Sequence, residues 1–321
     1  MMLLKLDKLS KWFVLKRGLL GKSYLKAVDN VSFDLTKGEI FGLVGESGCG
    51  KTTLGRLIVR IYEPTSGKVI FYDDTAEVDL FKLSEKQFQP YRKKIQMIFQ
   101  DPYGSLNPRL TVFQIVTEGL GSQYALKEKR ELALQVLSEV GLRPEHLMRY
   151  PHEFSGGQRQ RISIARALIL KPQLLVCDEP VSALDVSVQA QVINLLMSLK
   201  ERYGLTYLFI AHDLAVVKHV SDKIGIMYLG KIVEIARSDD IFSKPLHPYT
   251  KALISSVPIP NPKLRKLHIV EPIQGEISSP IDPPNACLFA PRCPYAMKVC
   301  LEQPPELKAV DGSHRVACFL Y

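Results

Sequence analysis

Unbroken apolar runs of four or five residues recur along the chain: Ile40-Phe41-Gly42-Leu43-Val44, Leu174-Leu175-Val176-Cys177 and Tyr207-Leu208-Phe209-Ile210. Such runs, without alternation, mark strands covered on both faces, as in a parallel sheet. Between them the period shifts to that of a helix. Leu54, Leu57, Ile58 and Ile61 lie at helical spacing over residues 53–62, and residues 186–203 form a long amphipathic repeat. From about residue 101 to 150 the pattern is helical, clearest over 128–140, where Gly141 supplies the stop. Residues 3–35 read instead as β, with Val31, Phe33 and Leu35 alternating against Ser32 and Asp34, and Lys37-Gly38 closing the run as a turn. Val69-Ile70-Phe71 and residues 95–99 add strands, and residues 224–227 and 232–235 flank Gly230-Lys231 as a hairpin. The sum predicts an α/β fold, with a mainly parallel sheet between helices and an added antiparallel layer from the first residues. After Ser256 the pattern breaks. Residues 258–305 hold 11 of the 21 prolines, too many for regular helices or central strands, so a boundary is expected near Val257. No internal repeat is present.

Composition changes this picture little. A hydrophobic share of 46% and a charged share of 23% are ordinary for a globular protein. The net charge of +9 suits nucleic acid or an anionic membrane surface, but no dense arginine run with interleaved aromatics accompanies it, and general solubility accounts for it equally. The first eleven residues lack the long apolar core of a signal peptide, and no apolar stretch approaches the ~20 residues that span a bilayer. The expectation is a cytoplasmic chain whose membrane role, if any, comes through partners. Its six cysteines then argue against a disulfide framework.

Chemistry enters at Gly45-Glu46-Ser47-Gly48-Cys49-Gly50-Lys51-Thr52-Thr53, which fits G-x-x-x-x-G-K-[ST] between a strand and a helix. Glycines let backbone N–H groups converge on phosphate, and the helix start adds positive potential. Lys51 is placed for the outer phosphates and the Thr52 hydroxyl for Mg²⁺. Asp178-Glu179 ends a buried strand. Asp178 is assigned to Mg²⁺, and Glu179 to orienting or deprotonating the attacking water, a step worth ~10²–10⁴-fold. Ser155-Gly156-Gly157-Gln158 has capping-box spacing, yet two glycines in a first helical turn cost about 1 kcal/mol each against alanine. A cap alone does not explain them; a second phosphate, close to bare backbone, does.

Together the loop at 45–52, the Ser155-Gly156-Gly157-Gln158 signature and residues 174–179 resemble the ATP-binding subunits of ABC transporters, over roughly residues 3–250. The resemblance implies a dimer sandwiching two ATP molecules, each loop facing the partner's signature. It implies that Gln100 touches Mg²⁺ and senses the transmembrane partner, that Asp185 of Ser182-Ala183-Leu184-Asp185 couples the sites, and that His212 meets the γ-phosphate. It places an aromatic on adenine, with Phe13 favoured and Tyr24 its rival. It implies an ATP-binding domain over residues 1–257, with a helical subdomain at about 101–160, and an extension over 258–321.

Asp101-Pro102-Tyr103-Gly104-Ser105-Leu106-Asn107-Pro108-Arg109, His247-Pro248-Tyr249-Thr250 and the proline-rich tail are similar to the dipeptide and oligopeptide importer branch. The tail carries Cys287, Cys293, Cys300 and Cys318 with C-x₅-C-x₆-C-x₁₇-C spacing, which matches neither the usual zinc pairs nor the ferredoxin run. From spacing alone a metal staple and four unrelated thiols stand equal. The resemblance implies a structural [4Fe–4S] cluster, with zinc as the alternative. It also implies the partners: a paralogous or identical ATPase, two permease subunits and an external binding protein, with the chain peripheral on the cytoplasmic face. Cargo is expected to be short peptides. Oligosaccharides or a nickel complex are alternatives, as is a soluble ABC ATPase acting on nucleic acid or ribosomes. Such proteins commonly join two ATPase domains, whereas this chain has one phosphate loop and one signature.

Overall fold

The computed structural model describes residues 1–17, 21–73, 76–256 and 278–321. They form two compact units: residues 2–35, 40–81 and 211–321 in one, and residues 36–39 and 82–210, with Met1, in the other.

In the first unit a four-stranded sheet runs in the order Gly21–Thr36, Met2–Arg17, Ser66–Tyr72, Glu77–Asp79. Met2–Arg17 is antiparallel to Ser66–Tyr72, which is antiparallel to Glu77–Asp79. Val31, Phe33 and Leu35 point inward as their alternation requires. The Phe33 ring stacks on Phe41 of the next layer with centroids 4.5 Å apart. That layer pairs the fully buried strand Ile40–Val44 in parallel with Lys223–Tyr228. A turn at Leu229 and Gly230, both at positive φ, leads into the antiparallel strand Lys231–Arg237. His314–Val316 and Lys308–Asp311 continue the layer antiparallel, so its last two strands come from the extension.

Two further ties hold the extension to this unit. The Lys26 N–H donates to the Pro280 carbonyl at 3.1 Å and the Asp282 N–H to the Tyr24 carbonyl at 2.9 Å. Glu234, with no exposed surface, accepts from the Leu246 and His247 N–H groups and meets His314 Nε2 at 2.7 Å. The boundary expected near Val257 falls at the start of residues 257–277, outside the described residues.

In the second unit Ile95–Ile98, Leu174–Asp178 and Thr206–Ala211 pair in parallel, and every residue of the middle strand is buried. Helices Val112–Thr117 and Leu126–Glu139 pack on Gly156–Leu168, in the stretch where the 3.6 period predicts helix. Val186–Tyr203 ends at Gly204, whose φ of 63° suits a C-terminal cap.

Two local expectations need correction. The helix expected over 53–62 runs Lys51–Ile58; Arg60 turns to a φ of 58°, leaving Ile61 51% exposed rather than on the buried face. The extension, for all its prolines, holds a short helix at Lys298–Glu302 that buries Cys300 between Pro294 and Pro304.

Candidate functional site

The phosphate loop hangs between Ile40–Val44 and Lys51–Ile58. Two of its glycines are required by packing alone. A Cβ at Gly45 would strike the Met227 carbonyl, and one at Gly50, held at a φ of 108°, would strike the Ala27 carbonyl. The Gly230 N–H donates to the Cys49 carbonyl at 2.8 Å, so the hairpin turn also fixes the loop. Lys51 is 4% exposed, and its Nζ donates to the Gly45 and Glu46 carbonyls at 2.7 and 3.0 Å, with the Cys49 sulfur at 3.8 Å. Burial raises the Cys49 thiol above its usual range and keeps it neutral beside that ammonium. Ser47 and Gly48 face solvent, and Thr52 and Thr53 open the helix half-buried.

The same unit holds the remaining loop-side residues. His212 is exposed just before Asp213, which caps the next helix by accepting from the Ala215 N–H at 2.7 Å. Phe13 meets Tyr62 edge-on at 5.5 Å with the Lys11 ammonium 5.2 Å from its ring; Tyr24 lies edge-on to Trp12 at 6.3 Å.

In the other unit Asp178 is 1% exposed at the end of its strand. Glu179 follows with a φ of 45°, a left-handed conformation that costs a non-glycine residue about 1 kcal/mol and is held here from both sides. Its N–H donates to the Ile210 carbonyl at 2.9 Å, and its carbonyl accepts from the Ser182 hydroxyl at 3.1 Å. The Gln100 amide donates to the Glu179 carboxylate at 2.9 Å, bringing together two residues the sequence separates by 79 positions.

Ser155 accepts from the Gln158 N–H at 3.4 Å while the Gln158 side chain accepts from the Ser155 N–H at 3.1 Å, the expected capping box. The two signature glycines differ. A Cβ at Gly156 has room, 3.4 Å from Leu184, but one at Gly157 would run into Val188. Close packing thus explains one of the pair, a reason the sequence reading did not give. Asp185 is exposed at the start of Val186–Tyr203.

Cys287, Cys293, Cys300 and Cys318 line one small cavity with Phe289, Phe319 and other mostly apolar side chains. Backbone N–H groups face each sulfur: Phe289 and Ala290 toward Cys287, Tyr295 toward Cys293, Leu320 toward Cys318, and Met297 toward Cys300 at 3.5 Å. Burial pushes the Cys287 thiol up to about 11, with Cys300 and Cys318 adding to the rise. Among the described residues no three His, Cys, Asp or Glu side chains close around a single ion position. Four soft donors with hydrogen-bonded sulfurs, and no lysine or arginine in the lining, fit a group that brings its own positive charge. His247 lines the cavity too; burial holds its imidazole down to about 3, so Nδ1 is free of a proton to accept from the Tyr249 N–H at 3.1 Å.

The residues sequence reasoning missed are Arg292 and Tyr249, which close on Glu46 of the loop, and Tyr228, whose hydroxyl accepts from Arg292. Tyr249 stood in a branch motif, but nothing in the spacing announced its contact with Glu46 across 203 positions, or that of Arg292 across 246.

A family described as "ABC transporter" matches residues 28–182, and one described as "Oligopeptide/dipeptide transporter, C-terminal region" matches 233–300. The chain is 51% identical to the oligopeptide transport ATP-binding protein AppF of Bacillus subtilis (strain 168), covering 99% of this chain and 97% of that one. It belongs to the ABC transporter ATP-binding proteins. The ABC family also claims the putative oligopeptide transport ATP-binding protein YkfD of the same strain, 54% identical over 94% of this chain and 91% of its own. An ATP-binding cassette solved as a dimer in a post-hydrolysis state, bound to ADP and Pi, aligns with a TM-score of 0.63 and 29% identity, over 73% of this chain and 98% of that one. A cassette from Clostridium perfringens, described as part of an ABC transporter complex, gives 0.63 and 26%, over 76% and 91%. As an ABC cassette the chain is an ATPase, and no helix among its described residues is long and apolar enough to cross a membrane.

Proposed function

We propose that this chain is the ATP-hydrolysing subunit of an importer of dipeptides or oligopeptides, peripheral on the cytoplasmic face of the membrane. The observation that carries the reading is the joint presence of the ABC cassette and the transporter-type extension in one chain, as in relatives named for oligopeptide transport. Its partners are a paralogous or identical ATPase, two permease subunits and an external binding protein. Oligosaccharide or nickel-complex import is the second reading, because an ATPase subunit does not touch the cargo.

The amides of residues 45–53 and the Lys51 ammonium hold the phosphates. Lys51 already rests on two loop carbonyls and needs only to exchange them for phosphate oxygens. Phe13 stacks on adenine, with Tyr24 as its rival. Thr52, Gln100 and the buried Asp178 are oxygen donors of the kind Mg²⁺ takes, and the ion neutralises phosphate charge when bound. Glu179 orients or deprotonates the attacking water, steadied by the Gln100 amide; His212 acts at the γ-phosphate. Ser155, Gly156, Gly157 and Gln158 serve the nucleotide of a partner subunit, and Asp185 couples the two sites. Glu179→Gln is expected to bind ATP as the wild type does and to accumulate as a closed dimer; wild-type turnover in that variant removes Glu179 from its role.

The four cysteines hold a [4Fe–4S] cluster, with zinc the alternative. What supports the reading is that the four thiols line one mostly apolar cavity. Iron, sulfide and zinc analysis after oxygen-free purification decides: about four irons and four sulfides per chain support the cluster, one zinc replaces it, and neither metal leaves four thiols.

A further inference from the structure

One side chain of the C-terminal extension reaches the phosphate loop. Arg292 donates from Nη1 and Nη2 to the two carboxylate oxygens of Glu46, at 3.0 and 3.1 Å. Nη1 also donates to the Tyr228 hydroxyl at 3.3 Å. The Arg292 side chain is 8% exposed and that of Glu46 23%, so the fork-on-carboxylate pair is largely shielded from water. Glu46 is held at its backbone too. Its N–H donates to the Tyr249 hydroxyl at 3.0 Å, and its carbonyl accepts from Lys51 Nζ at 3.0 Å. A guanidinium, a phenol and the loop's own ammonium therefore fix one residue, the second of the phosphate cradle.

The anchor of this grip lies in the extension. Arg292 precedes Cys293, and Phe289 of the same turn packs against Tyr228 and Tyr249 at 5.4 and 5.5 Å. Without Arg292, the Glu46 carboxylate would stand unneutralised one peptide from the carbonyls that hold Lys51, where a triphosphate must bring more negative charge. The orientation of the 45–46 peptide, and with it the aim of the loop's amides, would also lose its side-chain anchor.

We propose that Arg292 is a positioning residue for nucleotide: it holds and neutralises Glu46, so ATP affinity in this subunit depends on the seating of the C-terminal extension. The inference rests on the reading of residues 45–53 as the ATP phosphate loop.

The test is equilibrium binding of a fluorescent ATP analogue to the full-length chain, with thermal unfolding of each nucleotide-free variant alongside. Arg292→Ala is expected to weaken binding by about tenfold or more, the scale of one lost partner in a shielded charge pair. Arg292→Lys should recover part of the loss, because it restores charge without the fork. In a Glu46→Ala background, Arg292→Ala should cost nothing further, since the group it serves is gone. Unchanged affinity in Arg292→Ala overturns the inference. So does a loss that persists in full without Glu46, which would locate the effect in the packing of the extension. If Arg292→Ala does not fold, Arg292→Lys is compared in the wild-type and Glu46→Gln backgrounds. A loss that Glu46→Gln erases supports the inference, and equal affinity in both backgrounds overturns it. A wild-type chain that binds no ATP removes the phosphate-loop reading and this inference with it; wild-type binding with an indifferent Arg292→Ala removes the inference alone.

Discussion

Gln100 and Glu179 meet at 2.9 Å, and the carboxylate we propose for the attacking water is thereby aimed by an amide rather than left to rotate. Gln100→Ala should therefore lower ATP turnover by about tenfold to a hundredfold, within the range that small misplacements of catalytic groups cost, while leaving nucleotide affinity within a few-fold. Steady-state turnover and nucleotide binding on the same preparation check it. An equal loss in both would place Gln100 in ground-state binding instead. At this scale legibility divides cleanly. The placement of Lys51 at a helix start and of Asp178 at a strand end could be read from the chain, because apolar run, glycine loop and carboxylate lie at short spacings. The contact of Arg292 with Glu46 could not, because a salt bridge between distant residues leaves no periodicity. The positive φ of Glu179 was equally hidden, since no glycine marks it.

The signature helix Gly156–Leu168 shows what an element adds to its residues. Beyond its capping box, it is tied to the segment after Gln100: the Arg159 guanidinium lies 4.0 Å over the Tyr103 ring, and Arg166 donates to the Ser105 carbonyl at 2.7 Å. Residues 103–105 are thereby fixed against the helix that begins with the signature. Ser155→Ala should cost about 1 kcal/mol of stability through the lost cap, measured by urea unfolding. The two glycines should separate by their surroundings. Gly157→Ala must displace Val188 and should lower stability by about 1–3 kcal/mol, the cost of overpacking. Gly156→Ala, with room for its methyl, should keep its stability and lose ATP turnover in the assembled transporter; a Gly156→Ala that turns over normally would contradict a phosphate at that backbone. Elements were legible where burial imposed a period, as in Ile40–Val44 and Val186–Tyr203. They were misjudged where a local feature overrode it: Arg60 ends a helix that the apolar spacing would have continued to Ile61, and Cys300 sits on a helix too short to show a period.

On the scale of the molecule, the described extension belongs to the same compact unit as the phosphate loop, with two of its strands in that unit's sheet and Arg292 on Glu46. The composition shift after Ser256 was visible in the prolines, but proline content says where regular structure stops, not what the segment then packs against. The family, by contrast, was legible over most of the chain, where the cassette and the transporter-type C-terminal region both match. Whether this subunit powers peptide import is decided by purifying the tagged chain from native membranes in mild detergent and identifying what accompanies it. Two membrane-spanning permeases, a second ATPase and a binding protein loaded with peptide are the predicted companions. Recovery as a soluble protein with ribosomes or nucleic acid would contradict it.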